Sequence, residues 1–401
     1  MTLQNLEFVY NQRMKNTITV NPRCEKKLRG KYPWIYANEI TAKSGDIADV
    51  DVVTVITASG SVLGTACFYR HSLIQARILS WNDVDITTKF FVQKITTALE
   101  KRRTLYPSLR SFRLIYGESD GLPGLIVDKY EQLLVIELNT QGMYQFKQEI
   151  TDALTIVCEP VTILLQNNSS SLAYEKLTAE TTLLYGAEPQ PVVIDEFGVK
   201  FLVDPINGQK TGFFMDQKEN RRLLGQFSTD KTFLDTFAYS GAWGMHALKN
   251  GASSCTFVDS SAQACDLIRE NLKLNGFSAD VIKANAFDYL RETTALPDIV
   301  VLDPPAFAKT KKDIPKAEKA YTDINRIALK KMPIGGILAS SSCSFHMSQE
   351  AFYGCLHEAA LQAQTQVSLI GWGTQAYDHP VMFNHPESLY LKTLFVRKEL
   401  V

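Results

Sequence analysis

A lone cysteine, Cys343, stands among serines just past a short apolar run in GGILASSSCSFH, Gly335 to His346. Earlier in the chain, PDIVVLDPPAF closes another apolar run on Asp303, followed by Pro304 and Pro305. Proline has no N–H to give to a sheet ladder, so the strand stops there and the chain turns away. The Asp303 carboxylate and neighbouring carbonyls are then left as acceptors at a strand tip, where they could hold the exocyclic amino group of a nucleobase. A thiol beside such a group suits one reaction well. Carbon 5 of a pyrimidine is too weak a nucleophile to attack an electrophilic methyl unaided. A thiolate adding to carbon 6 turns the ring into an enamine, and elimination later expels the sulfur. Cys343 taken singly reads as a structural thiol, and D-P-P taken singly as a loop opener. Together, on successive strand tips, they read as catalytic Cys343 and catalytic Asp303.

The elements that must carry them alternate regularly from about Asp195 onward, which implies a parallel sheet covered by helices. KTFLDTFAYSGAWGMHALKNG is a strand, a glycine-containing turn and a helix; Asp235 closes the strand, and Gly241 and Gly244 are read as letting the backbone approach a ligand. CTFVDSS ends on Asp259, where a carboxylate commonly accepts from ribose hydroxyls. SAQACDLIRENLKLNG is a helix closed by Gly276. A third strand and turn carry Asp288, the fourth strand ends at Asp303, and the fifth ends before Cys343. In the usual order of such sheets the fourth and fifth strands are neighbours. An acidic residue at each successive tip looks like the S-adenosylmethionine site of a class I methyltransferase. A nicotinamide reductase would share the strand, turn and Asp259, but would show G-x-G-x-x-G, which this turn lacks.

The 401 residues suffice for two or three domains. Forty-two basic against 43 acidic side chains argue against binding nucleic acid through bulk charge, while leaving room for a local basic path. Seven cysteines without a C-x-x-C pair, and six scattered histidines, point to a reducing cytoplasm and to no metal. The N-terminus has no signal-peptide pattern, and no apolar run is long enough for a bilayer. Residues 17–82 form a β-rich module with a hairpin at Gly60. Residues 85–193 are α+β, and residues 195–401 form the Rossmann-like α/β domain. Arg23, Lys26, Lys27, Arg29 and Lys31 cluster beside the YPWIY segment that contains Trp34, a pattern that suits an RNA surface, although composition alone favours a solvated charged turn beside a core tryptophan. Lys309, Lys311 and Lys312 follow the D-P-P loop and could hold a phosphate backbone. Lys101, Arg102, Arg103, Arg110 and Arg113 form a further basic group ahead of the central signature.

Several motifs in fixed order resemble the RlmI-type class I ribosomal RNA methyltransferases: GESDGLPGLIVDKY, NGQKTGFFMDQKENR, DTFAYSGAWG, LDPPAF, SSCSF and the tail DHP…HPESLYLK. The resemblance covers nearly the whole chain. It implies an N-terminal PUA domain, S-adenosyl-L-methionine as cofactor, and 5-methylcytosine formation in large-subunit rRNA through a Cys343–carbon 6 adduct. It further implies that Asp235, Phe237, Tyr239, Ser240, Gly241 and Asp259 cradle methionine and ribose, with Asp288 near the adenine. Gln209, Phe214 and Asp216 would cover the cofactor, and Asp303 would orient the cytosine. Lys210 is read as a solvated lysine near the site, and the base for the carbon 5 proton is unassigned. A homodimer is also implied. The family's Gly-His-Pro-Trp appears here as Lys31-Tyr32-Pro33-Trp34, which bears on RNA contacts rather than on chemistry. The alternatives are an rRNA guanine-N methyltransferase, which needs no thiol, a uracil carbon 5 methyltransferase, and an inactive RNA-binding assembly protein.

Overall fold

Asn21 caps the helix Pro22–Arg29, its side chain accepting from the Cys24 amide at 2.8 Å, and Pro22 supplies the preset first helical residue. The basic cluster therefore lies largely on a short helix, which buries Cys24 and Leu28 and turns its charges outward. This is a computed structural model of the chain, and it describes residues 16–400. The N-terminal stretch read above for a targeting pattern lies outside them.

The first module is a six-stranded sheet in the order Trp34–Ile35, Ala76–Ser80, Val62–Tyr69, Val50–Ile56, Thr17–Val20, Ile40–Ser44. Val50–Ile56 and Val62–Tyr69 are the hairpin expected around Gly60. Ile18, Val20, Ile35, Val55 and Phe68 fill its core. The second module is a five-stranded sheet from Glu180–Gly186 to Phe112–Tyr116, covered by helices Thr88–Leu105 and Lys147–Cys158. The Gly117–Gly124 turn joins Phe112–Tyr116 to Leu125–Tyr130, as the sequence suggests.

The hairpin Val192–Glu196 and Val199–Val203 crosses the boundary expected at residue 195. Its Ile194, Val199, Phe201 and Val203 pack into the core of the third module, so that module begins at the hairpin. There a seven-stranded sheet runs Asp280–Lys283, Ser254–Asp259, Thr232–Thr236, Ile299–Leu302, Ile337–Ser342, Lys392–Glu399, Gln366–Gly373. The first five strands are mutually parallel, and the last two pair antiparallel. Ile299–Leu302 lies beside Ile337–Ser342, so the tips carrying Asp303 and Cys343 are neighbours at the carboxyl edge. The chain's final strand is interior to the sheet. Among the described residues no helix is long and apolar enough to cross a membrane.

Candidate active site

Cys343 Sγ lies 3.9 Å from the carbonyl oxygen of Pro304, so the thiol sits against the Pro-Pro bend. Both face a cavity of about 240 Å³ with Asp303, Pro305, Asp216 and the 237–240 turn. Asp303 is gripped from below: Gln217 Nε2 donates to one oxygen at 3.1 Å and Trp243 Nε1 to the other at 3.0 Å. Burial outweighs these donors and pushes its carboxyl up to about 6. Burial also pushes the Cys343 thiol up to about 11, with Lys210 and Lys392 pulling down and Asp303 and Asp216 pushing up. Lys392 pairs across the ladder with Ser342 and is buried. Its ammonium bonds the carbonyls of Ser344 at 2.7 Å and Tyr390 at 2.8 Å, so it brackets the cysteine tip.

The turn after Thr232–Thr236 is held in an uncommon conformation. Phe237, Tyr239 and Gly241 have φ of 55°, 47° and 74°, two of them on non-glycine residues, a strain typical of functional sites. Asp259 fixes it: its carboxylate accepts from the Tyr239 amide and the Ser261 amide, each at 2.9 Å. Tyr239 in turn ties down the 209–212 loop, accepting from the Gln209 amide and donating to the Gly212 carbonyl, both at 2.9 Å. Phe214 packs edge-on against the Tyr239 ring.

Gln209, Phe214, Asp216, Phe237, Tyr239, Ser240, Asp259, Asp303 and Cys343 all line the cavity. Asp235 and Gly241 lie behind it. Asp235 is fully buried, with Oδ2 accepting from the Gly244 amide at 3.0 Å and Oδ1 without a partner among the described residues. Gly244 does not serve ligand approach. A Cβ there would meet the Phe257 ring at 2.3 Å and Cys255 Sγ at 2.6 Å, so this glycine lets its helix seat on the sheet. Asp288 departs from expectation. It is exposed in the first turn of Ala286–Glu292, 3.5 Å from Arg291, and does not line the cavity. Asn285, the residue that caps this helix, turns the chain so that Phe287 packs against Phe237 instead.

The expected RNA contacts divide. Lys309, Lys311 and Lys312 are exposed, as are Arg23 and Lys26, and Arg29 pairs with Glu25. Lys27 is committed to Glu39 at 2.7 Å and lies over the Tyr32 and Tyr36 rings. Lys31 lies over Trp81. Trp34 is not an exposed stacking platform: its indole N–H donates to Glu118 at 2.8 Å and its ring packs on His385. It joins the first module to the second and to the tail.

Sequence reasoning missed Gln217, Trp243 and Lys392, although all three lie inside motifs already noted. It also left the tail's DHP unexplained. Asp378 is fully buried, accepting from Lys218 Nζ at 2.5 Å, from the Arg113 amide at 2.9 Å and from His379 Nδ1 at 2.9 Å. Its carbonyl accepts from Arg102, which also grips Asp120 through two bonds of 2.6 and 2.7 Å. This network locks the second module to the third beneath the site.

Comparison with known proteins follows from this geometry. The chain is 36% identical over 383 residues to ribosomal RNA large subunit methyltransferase I of Aeromonas salmonicida, covering 93% of this chain and 97% of that protein. The protein of the same name from Pseudoalteromonas translucida is 35% identical over 394 residues, covering 96% and 100%. The chain belongs to this methyltransferase family. A PUA-like domain model matches residues 18–81, and the model described as Conserved hypothetical protein 95 matches residues 218–326. In fold it is similar to SMU.776, a methyltransferase solved with SAH, at TM-score 0.81 and 22% identity over 95% of this chain and 99% of that one. A SAM-dependent methyltransferase from Streptococcus mutans gives 0.79 at 21% identity, with the same coverage.

The cofactor of the family is S-adenosylmethionine, and the residues here fit it. Asp235 Oδ1 is a buried acceptor without a partner among the described residues, suited to a donor of an amino acid moiety. Asp259 keeps lone pairs beyond its two amide bonds for a diol.

Proposed function

We propose that this chain methylates carbon 5 of a cytosine in large-subunit ribosomal RNA. The single observation carrying the reading is the thiol of Cys343 set 3.9 Å from Pro304 O, in one cavity with Asp303. A guanine-N methyltransferase has no use for that sulfur. When bound, S-adenosylmethionine supplies a methyl group on a sulfonium. Asp259, Ser240, Tyr239, Phe237 and Gln209 would hold it, with Asp235 acting from behind the 237–241 turn.

The protein's own groups prepare the acceptor. Asp303, with a carboxyl near 6, can hydrogen-bond the amino group of the base or, when protonated, donate to ring nitrogen 3 as the thiolate adds to carbon 6. That proton prevents anionic charge from building on the ring, and carbon 5 becomes an enamine carbon. Asp303 can take the same proton back when aromaticity returns. The base must leave its helix to reach so recessed a sulfur. Exposed Lys309, Lys311 and Lys312 beside the cavity supply phosphate contacts, and Arg23 and Lys26 on the PUA-like module extend the path. A homodimer belongs to the same reading, and sedimentation velocity tests it.

RNA carrying 5-fluorocytosine at the target will form a denaturation-resistant adduct with the wild type, because fluorine cannot leave as a proton does. Cys343→Ala abolishes both adduct and methyl transfer while cofactor affinity stays within about threefold. Full methylation by that variant refutes the role of the thiol. Labelled methyl transfer followed by nucleoside analysis identifies base and atom together.

A further inference from the structure

The reaction needs a group to accept the carbon 5 proton, and the cavity offers few candidates. Asp303 is occupied by Trp243 and Gln217 and faces the amino edge of the base in the reading above. Lys392 spends its protons on two carbonyls. Lys210 is half exposed and stands over the Phe214 ring. Asp216 remains. It is nearly buried, lines the cavity with Cys343 and Asp303, and has Oδ1 without a partner among the described residues. Its other oxygen accepts from Tyr390 O–H at 2.5 Å and lies 3.9 Å from Lys210 Nζ.

We propose that Asp216, held by Tyr390, is the catalytic base that takes the carbon 5 proton, rather than a cover for the cofactor. This rests on the cytosine reading. In the methylated adduct the C5–H bond breaks and its proton goes to Asp216 Oδ1. The electron pair becomes the C5=C6 double bond, the S–C6 bond breaks, and the sulfur departs as the Cys343 thiolate. The proton on nitrogen 3 returns to Asp303, so the reaction releases a single proton, the one on Asp216.

Two further observations agree. Two carboxyls in one site with environments that push them apart are the usual mark of a divided acid and base. Burial raises Asp216, but Lys210, His379, Tyr390 and Arg113 outweigh it and hold the carboxyl at about 2, whereas Asp303 stands near 6. Asp216 therefore stays ionised while Asp303 can carry a proton. Asp216 also lies on a second cavity of about 560 Å³, lined by His379, Tyr390, Asn168 and Glu137, which gives the proton a polar exit away from the sulfur.

The test uses Asp216→Asn in the full chain, a large-subunit rRNA transcript with ordinary cytosine, and tritiated S-adenosylmethionine. The variant will accumulate a denaturation-resistant protein–RNA complex carrying the labelled methyl, and turnover will fall roughly 10²- to 10⁴-fold. Adding Cys343→Ala will remove the complex. Turnover within about threefold of wild type overturns the proposal. So does a variant that still traps on 5-fluorocytosine RNA yet accumulates nothing on ordinary cytosine. If Asp216→Asn fails to bind cofactor, Tyr390→Phe carries the test. It keeps the carboxylate but removes a bond to its charged form, so the acid limb of the turnover profile moves to higher pH; an unmoved limb overturns the proposal. Wild type that forms no 5-fluorocytosine adduct sinks the cytosine reading itself, an outcome separate from failure of Asp216 alone.

Discussion

Cys343 should behave as a markedly reluctant thiol in the free protein. Burial moves it from 9.0 to about 11, a change in which Lys210 and Lys392 only partly offset desolvation and two carboxylates. Two pH units correspond to about 2.7 kcal/mol against the thiolate. At pH 8 roughly one molecule in a thousand would carry the thiolate, against about one in ten for an unshifted thiol. Alkylation by iodoacetamide, followed at the Cys343 peptide by mass spectrometry, should therefore climb about tenfold per pH unit to about pH 10. Lys392→Met sharpens the test. Losing a buried cation beside the sulfur disfavours its charged form, so alkylation slows at a fixed pH below about 8, where Lys392 still carries its charge. Lys392 itself is lowered to about 8 by burial, with Cys343 pulling it back up, so the coupling runs both ways. A wild-type plateau below pH 9, or unchanged alkylation in Lys392→Met, would refute this account of the thiol.

Two other outcomes are expected. Asp259→Ala removes the anchor of the 237–240 turn and the acceptor for a diol, each charged hydrogen bond being worth about 1.5–3 kcal/mol. Calorimetry should show S-adenosylmethionine affinity down at least tenfold, and a change under threefold would contradict the placement. Arg221→Met strands Glu196, which Arg221 grips at 2.8 and 2.7 Å and His246 contacts at 3.0 Å. Breaking a buried pair from one side costs about 3–5 kcal/mol. Although burial raises it, Arg221 and His246 hold Glu196 down at about 2, so this contribution is complete above the ordinary carboxylate range and is lost as pH falls through about 2. Thermal unfolding should show the gap between variant and wild type closing toward that acid limit, and a gap constant with pH would contradict it.

The strand tips were legible because the parallel strands are apolar on both faces and end abruptly at aspartate, glycine or proline. Hence the adjacency of Asp303 and Cys343 followed from strand order alone. The exposed setting of Asp288 was not legible, because a carboxylate near a strand end gives no sign of which way the next helix turns, and Asn285 caps that helix. Trp34 was open between two readings because its partners, Glu118 and His385, come from distant parts of the chain. The antiparallel strands Gln366–Gly373 and Lys392–Glu399 were hidden for a similar reason, as their pairing encloses a long irregular tail. Asp378 could not be interpreted until Lys218, Arg102 and Arg113 stood around it.

The interior place of Lys392–Glu399 has a consequence for synthesis. A chain emerging from the ribosome presents the parallel strands first, with Ile337–Ser342 left as an open edge. The slot beside it is filled by the much later segment Lys392–Glu399, which brings Lys392 beside the cysteine tip and Tyr390 to Asp216. Chains clipped before Tyr390 would thus lack both contacts, and would leave Ile337–Ser342 as an open sheet edge.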